Sequence, residues 1–473
     1  MLIKNSPIIG IATPPGRGGV GIIRLSGKNL WSIVEIVCKK TQKQLKPRYA
    51  TYSSFFCKNN NILDQGLVIY FKAPHSYTGE DVIELHGHGG PIILRMLLSS
   101  CLEIGKSIGL RLAMPGEFTK RAFLNNKLDL TQVEAIIDLI NASTEAAAKS
   151  AMISLSGRFS QLINILLEKL INLRTLIEFS FDFPEENQEF ILNKTDIFNK
   201  LIQIKKKLLK IIQQGKKGAL IRDGLNVVLI GQPNVGKSSL FNALVGSDIA
   251  IVTSIAGTTR DKVTETIQIN EILLKIIDTA GISDVNNKIK KNIDEVEKIG
   301  IERTWVELKN SDIIIYVQDA RYNEHTNFDK KIIKNFPINI PVIYVWNKID
   351  YSGHKKNINY KNKIANIYLS ASKGVGIDLL RNTLLNIIEK FYQTIESSPY
   401  LARERHIRTL SEANYYLSCA IKITNQSEKN FEKNLELIAE DLRFCHEKLS
   451  SIIGKSITND LLDNIFSQFC IGK

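Results

Sequence analysis

The sequence predicts a multi-domain α/β plus α protein, with an N-terminal α/β domain followed by a helical domain that a doubly wound α/β domain interrupts. Three observations lead there. A chain of 473 residues at roughly 150 residues per domain holds about three domains. Its apolar pattern changes from short runs to helical spacing near Ala122, back to short runs near Leu225, and to helical spacing again after Leu385. A glycine-rich stretch, Gly231 to Ser238, sits inside the second region of short runs.

In residues 1–122, apolar runs at 20–25, 66–71 and 81–85 alternate with turn clusters at Pro14-Pro15-Gly16 and Gly87-His88-Gly89-Gly90, the pattern of an α/β domain. Residues 123–217 read as the first part of the helical domain, since Leu130, Val133, Ile136, Ile137 and Ile140 recur at helical spacing and 162–177 suits a packed bundle helix. Lysines at 205–207 followed by 213–218 read as a basic helix end and a linker. Residues 218–388 form the inserted domain: 226–230, 272–277, 312–318, 341–346 and 365–369 are apolar without strict alternation, as buried parallel strands are. Residues 389–473 return to helix at 416–423, 435–449 and 461–469. Domains accept such insertions where their chain ends lie close together.

Composition narrows the function classes. With 44% hydrophobic and 23% charged residues the chain is neither disordered nor an integral membrane protein. No run approaches about 18 apolar residues, so no membrane span is expected. The six cysteines contain no CxxC pair and no export signal is read, which fits a reducing, cytoplasmic setting. The 62 Lys+Arg against 48 Asp+Glu leave a net charge of +14, which suits an anionic partner such as RNA. A general Ile, Lys and Asn bias accounts for part of that excess.

Gly231-Gln-Pro-Asn-Val-Gly-Lys-Ser238 matches GxxxxGK[ST] between a strand and a helix. Asn234, Val235, Gly236, Lys237, Ser238 and Ser239 then form a P-loop, with backbone N–H groups toward phosphate oxygens, Lys237 on the β/γ-phosphates and Ser238 on Mg²⁺. Asp278-Thr279-Ala280-Gly281 ends the next strand and would bring a carboxylate near Mg²⁺ and a glycine amide near the γ-phosphate. Asn347-Lys348-Ile349-Asp350 ends a further strand. A carboxylate there accepts both N–H donors of guanine, which adenine lacks, so the nucleotide is GTP. Ser370, Ala371 and Ser372 would supply an amide to the guanine oxygen. Gly257-Thr258-Thr259-Arg260-Asp261 lies where a switch loop places a threonine on Mg²⁺. These elements, in this order, specify a P-loop GTPase domain.

The inserted domain resembles the translation-factor-like GTPases, with one informative change. Ile282 follows Gly281 where Ras-like enzymes carry a water-positioning Gln, so that group must come from elsewhere. Asn234 can offer an oxygen to a monovalent cation beside the phosphates, and Glu297 can order water or can be a solvated helix glutamate.

Beyond the nucleotide motifs, the stretches 12–27, 77–90, 115–130 and 469–473 resemble the MnmE (TrmE) family of tRNA-modification GTPases, in order across essentially the whole chain. The resemblance implies that residues 1–122 form a tetrahydrofolate-binding and dimerisation domain. It implies a homodimer that works with the flavoprotein MnmG in a heterotetramer, and that adds an aminomethyl or carboxymethylaminomethyl group to C5 of the wobble uridine of certain tRNAs. It places Arg24, Glu84, Lys127 and Lys473 on a tetrahydrofolate derivative carrying a formyl or methylene unit. K⁺ falls on Asn234, Thr253, Ile255 and Thr258, and Mg²⁺ on Ser238 and Thr259. Ser254, Ala256 and Gly257 complete the nucleotide-binding switch loop. Catalytic roles fall on Glu297 and Cys470. The stretch 283–293 is longer and richer in Lys and Asn than the family pattern. Two local alternatives accompany this reading. Glu84, His86 and His88 share one face of a strand, as metal ligands would, although glycines 87, 89 and 90 favour a turn; Cys470 is either a nucleophile or a small buried hydrophobe. The rival function is a ribosome-assembly GTPase switch that binds RNA without modification chemistry.

Overall fold

The computed structural model describes residues 6–182, 194–246, 263–269, 272–278, 305–322, 327–337, 340–362, 364–392, 400–425, 434–455, 459–469 and 472. The chain divides into two compact units. One comprises Met1–Ile140, Ser154–Leu208 and Thr409–Lys473, and the other Asn141–Ile153 and Leu209–Arg408.

The first unit opens with a six-stranded sheet of β1 (Ile8–Ile11), β2 (Gly18–Ser26), β3 (Thr51–Phe56), β4 (Ile62–Phe71), β5 (Val82–Gly89) and β6 (Arg111–Leu112), in the order β3-β4-β5-β2-β1-β6. All neighbours are antiparallel except β1 and β6. Alternating residues Ile23, Leu25, Ile83 and Leu85 bury one face against α1 (Trp31–Val37) and α2 (Pro91–Ile104), through Ile33, Val34, Leu94 and Leu97. Residues 87–89 of the expected turn are instead the end of β5, and Gly90 precedes α2. Its glycines serve close packing: a Cβ on Gly87 would run into the Asp64 carboxylate of β4, and one on Gly89 into the backbone carbonyls of Gly18 and Val20.

Helices α3 (Glu117–Leu124), α4 (Leu130–Ile140), α5 (Glu145–Leu155), α6 (Arg158–Asp182) and α7 (Lys194–Asp223) follow. The linker expected at 213–218 is helix, because α7 continues unbroken to Asp223. Gly215 and Gly218 again mark close approach. A side chain on Gly218 would collide with the Tyr400 carbonyl, while the Tyr400 hydroxyl donates to Ile211 O at 2.8 Å.

The second unit contains β7 (Leu225–Gly231), α8 (Lys237–Val245), β8 (Val263–Ile269), β9 (Ile272–Asp278), β10 (Ile313–Asp319), α9 (Asn327–Lys334), β11 (Val342–Asn347), α10 (Ile349–Ser352), β12 (Asn357–Lys361), β13 (Ile364–Tyr368) and α11 (Ile377–Tyr392). Its seven-stranded sheet runs β12-β13-β11-β10-β7-β9-β8. The five expected strands pair in parallel, and β8 and β12 add antiparallel edges. Both faces are buried: Val227, Leu229, Ile315, Val317 and Val345 pack with Leu240 and Leu380, whereas Val228, Ile230, Ile314 and Tyr316 form a second core. β12 reads Asn-Ile-Asn-Tyr-Lys and is mostly exposed, a polar edge that its sequence does not announce as strand.

Beyond Thr409 the chain rejoins the first unit, within α12 (Glu404–Thr424) and through α13 (Leu435–Ile453) and α14 (Asn459–Phe466). Ile465 and Phe466 of α14, with Phe469, share one core with Leu130, Val133 and Ile137 of α4. Residues on either side of the inserted sheet therefore form one hydrophobic core. The fold is an α/β domain, a helical domain and an inserted doubly wound domain.

Candidate functional site

The phosphate loop lies between β7 and α8, at the carboxyl edge of the parallel strands, where doubly wound sheets gather ligand sites. Two of its residues take left-handed backbone conformations, Asn234 at φ +63° and Gly236 at φ +94°. Four of the carbonyls along the loop have a side-chain donor. Lys237 Nζ, buried, donates to Gly231 O at 3.1 Å and Gln232 O at 3.0 Å. Lys348 Nζ donates to Asn234 O at 2.6 Å, and Asn347 Nδ2 to Val235 O at 3.0 Å. The N–H and C=O of a trans peptide point in opposite directions. Anchoring the carbonyls of Asn234 and Val235 on one side thus aims the N–H groups of Val235 and Gly236 to the other, as an anion-binding nest requires. Ser238 and Ser239 follow in the first turn of α8, whose N-terminus adds a positive potential.

The Asn347–Asp350 motif is hydrogen-bonded into this loop. Asn347, at the end of β11, accepts Ala371 N–H at 2.9 Å while it donates to Val235 O. One buried amide thereby joins the phosphate loop to the segment 370–372. Asp350 Oδ1 accepts the Ser370 hydroxyl at 2.7 Å, and Ser370 Oγ lies 3.2 Å from Ser372 Oγ. Ile349 beside them is buried. Asp278 closes β9 in register with Leu229 of β7, one strand away from the loop.

A residue that the motifs did not single out also converges here. Asp319, at the end of β10, accepts Lys348 Nζ at 3.0 Å and the Arg321 guanidinium at 2.7 Å. Burial would raise its pKa, but the hydrogen bonds from Arg321 and Lys348 outweigh that and lower it to about 2. Its only sequence signal is an Asp closing an apolar run at the same rim as Asp278 and Asn347.

The second group of predicted residues meets in the first unit. Register places Arg24 of β2 opposite Glu84 of β5. Arg24 Nε donates to Glu84 Oε1 at 2.8 Å, His86 Nε2 lies 3.0 Å from Glu84 Oε2, and the guanidinium sits 5.6 Å from the Tyr77 ring centroid and 5.8 Å from that of Phe118. Burial pushes the Glu84 pKa up, yet hydrogen bonds from His86 and Arg24 prevail and hold it below the ordinary value. Arg24 NH1 also donates to Gly472 O at 3.3 Å, which brings Gly472 of the 469–473 motif onto this sheet. A Cβ on Gly472, at φ +103°, would meet Ile11 O and, at 3.0 Å, Ala12 Cα. Lys127 instead engages the loop 74–79, donating to Pro74 O at 3.1 Å.

Glu84, His86 and His88 do not form a metal trio. His88 turns to Asp64, with Nδ1 2.6 Å from Oδ1, and among the described residues no group of three His, Cys, Asp or Glu could hold a metal. Thr253, Ser254, Ile255, Ala256, Gly257, Thr258, Thr259, Thr279, Ala280, Gly281, Glu297, Cys470 and Lys473 lie outside the described residues, as do Ile282, the side chain of Asp278 and the stretch 283–293.

A family profile described as the GTP-binding protein TrmE N-terminus matches residues 7–127, and one described as the MnmE helical domain matches residues 130–470. The chain is 55% identical over 473 residues to a tRNA modification GTPase MnmE of Janthinobacterium sp. (strain Marseille), covering 100% of each. It is 54% identical over 474 residues to that of Herminiimonas arsenicoxydans, again covering 100% of each. Among solved structures, Era of Aquifex aeolicus aligns with a TM-score of 0.27 and 28% identity, over 43% of this chain and 68% of that one.

Proposed function

We propose, for a chain that belongs to the MnmE (TrmE) family of tRNA modification GTPases, that GTP hydrolysis in the inserted domain drives modification of C5 of the wobble uridine in certain tRNAs. In this reading the protein is cytoplasmic and works as a homodimer with the flavoprotein MnmG, adding a (carboxymethyl)aminomethyl group. The domains run 1–122 for tetrahydrofolate binding and dimerisation, 123–217 and 389–473 for the helical domain, and 218–388 for the GTPase domain. The observation that carries the nucleotide part is Asn347, whose one amide joins the phosphate loop to the Ser370–Ser372 loop. Guanine recognition and phosphate binding are then set by a single hydrogen-bonded frame.

The donor set suits the groups the reading needs. Glu84, an ionised acceptor beside the Arg24 donor and the Tyr77 ring, fits the amide and amino edge of a pterin. Lys127 and Lys473 would serve the same tetrahydrofolate derivative, which supplies the one-carbon unit when bound, and Cys470 would act beside it. Ser238 and Thr259 would hold Mg²⁺. Asn234, whose left-handed backbone is pinned by Lys348, would hold K⁺ with Thr253, Ile255 and Thr258, and Glu297 would orient water. Such a cation supplies positive charge toward the transferring phosphoryl group, the part an arginine finger plays elsewhere.

Two measurements test this. GTP hydrolysis is expected to run about tenfold or more faster in K⁺ than in Na⁺, since a preorganised charge at that position is worth a few kcal/mol. Equal rates in both salts remove the cation from the reading. Tetrahydrofolate derivatives should raise the thermal midpoint, and tRNA from cells lacking the protein should lose the C5-modified wobble uridine. Unchanged nucleosides would favour the ribosome-assembly alternative.

Base choice gives a further expectation. Asp350→Asn should weaken GTP binding by about tenfold or more, the value of a charge-assisted hydrogen bond, and should admit xanthosine triphosphate, whose C2 carbonyl an amide can donate to. Competition binding with both nucleotides reads this directly, and unchanged GTP affinity would displace Asp350 from the guanine site.

A further inference from the structure

The phosphate loop and the guanine motif share a carboxylate that neither contains. Lys348 Nζ bridges Asn234 O at 2.6 Å and Asp319 Oδ2 at 3.0 Å. Two of these three residues, Asn234 at φ +63° and Lys348 at φ +70°, hold left-handed backbone conformations, which asparagine tolerates and which are uncommon for a lysine. A lysine is a flexible point charge with three donors, so a single carbonyl does not fix its direction. A second, ionic acceptor does. Asp319 is itself fixed, because its side chain is buried and Arg321 grips it through Nε at 3.0 Å and NH2 at 2.7 Å, with the Arg321 backbone N–H at 3.1 Å. Two cations around one carboxylate leave a net positive charge beside the loop, favourable for an anionic nucleotide.

We infer that Asp319 is a positioning residue for the GTPase reaction: by orienting Lys348 onto the Asn234 carbonyl it sets the backbone from which the Asn234 side chain reaches its cation. The inference rests on the reading of Asn234 as a K⁺ ligand and adds Asp319 to it. Its low pKa keeps Asp319 a carboxylate at any physiological pH, so the tether is permanent and responds to substitution, not to acidity. Asp319 touches neither phosphate nor guanine in this account. Its effect should therefore appear as a shift in the K⁺ concentration needed, more than as a loss of maximal rate.

The test uses the full-length protein and three variants, Asp319→Asn, Lys348→Met and the double substitution, with GTP hydrolysis titrated against KCl and release of a fluorescent GDP analogue timed in parallel. Asp319→Asn keeps the size of the side chain and removes its charge. It should raise the K⁺ half-saturation about fivefold or more and speed GDP release, while the rate at saturating K⁺ stays within about twofold. Lys348→Met should move both quantities the same way, and the double variant should add little, since both act through one link. A role confined to folding would lower the rate equally at every K⁺ concentration and would leave the half-saturation unmoved, which overturns the inference; additive effects overturn it too. If the unaltered protein hydrolyses GTP equally in K⁺ and Na⁺, the cation reading itself falls. GDP release then still decides Asp319, because an unchanged rate in Asp319→Asn ends its positioning role.

Discussion

Gly236→Ala is expected to lower GTP affinity by about 30-fold to 1,000-fold while the protein remains folded. Gly236 has φ +94°, beyond the left-handed well that side chains tolerate, so an added Cβ costs about 1–3 kcal/mol of backbone strain. That Cβ would also fall on Asn347 Nδ2. Asn347 Nδ2 cannot yield without losing its 3.0 Å bond to Val235 O, worth about 0.5–1.5 kcal/mol. Strain plus one lost bond comes to about 2–4 kcal/mol, hence the range above. Gly353→Ala is the matched control: φ is +74°, nothing lies within 4 Å of the added Cβ, and the residue caps α10 outside the 231–238 loop, so the strain falls on stability and nucleotide affinity should change less than about threefold. Titration with a fluorescent GDP analogue, beside thermal melts of both variants, checks this. Equal affinities for the two variants would show that Asn347 does not frame the site.

The contrast between those two glycines shows where sequence reading reaches and where it stops. Gly236, Lys237, Asn347 and Asp350 stood out as candidates because phosphate binding and guanine recognition impose fixed residue types at fixed spacing, and the parallel strands behind them were legible because burial on both faces removes alternation. Asp319 was not: a single Asp at a strand end acquires its role only from Lys348 and Arg321, and no spacing encodes that meeting. Gly87 and Gly89 misled for a related reason. Glycine marks a turn and a close approach alike, and the choice at Gly87 was made by Asp64 on a neighbouring strand. In α7, Gly215 and Gly218 suggested a linker, while their packing partners, Ala402 and Tyr400, lie beyond the inserted sheet. The N-terminal cluster sat between these cases. Alternation put Glu84 and His86 on one face, but the pairing of Arg24 with Glu84 depends on register, and the arrival of Gly472 depends on the whole fold.

That arrival leads to the largest expected separation of activities. Deleting residues 470–473 should abolish tRNA modification and leave GTP hydrolysis in K⁺ within about twofold of the intact protein. The cut falls just past Phe469, which is buried with its ring 6.1 Å from that of Phe466, in the cluster formed with α4. The variant therefore keeps the contacts of Phe469 with Phe466 and α4. Arg24 loses the Gly472 carbonyl, and the proposed folate side loses the Cys470 thiol and the Lys473 amine, but no residue of the nucleotide frame is touched. Gly472→Val is the subtler arm. Its added side chain would meet Ile11 O and Ala12 Cα from a backbone at φ +103°, so the segment must move off the sheet while Cys470 and Lys473 remain in the chain. If docking of the segment matters, this variant should lose modification nearly as fully as the deletion; if the thiol and amine suffice, it should retain most of it. Phosphate release and modified wobble uridine, measured in one reaction with the proposed flavoprotein partner, read both activities at once. Normal modification by the truncated protein would sink the role of the segment. Loss of hydrolysis together with modification, in a variant that melts normally, would mean that the two chemistries share a coupling and cannot be separated at Gly472.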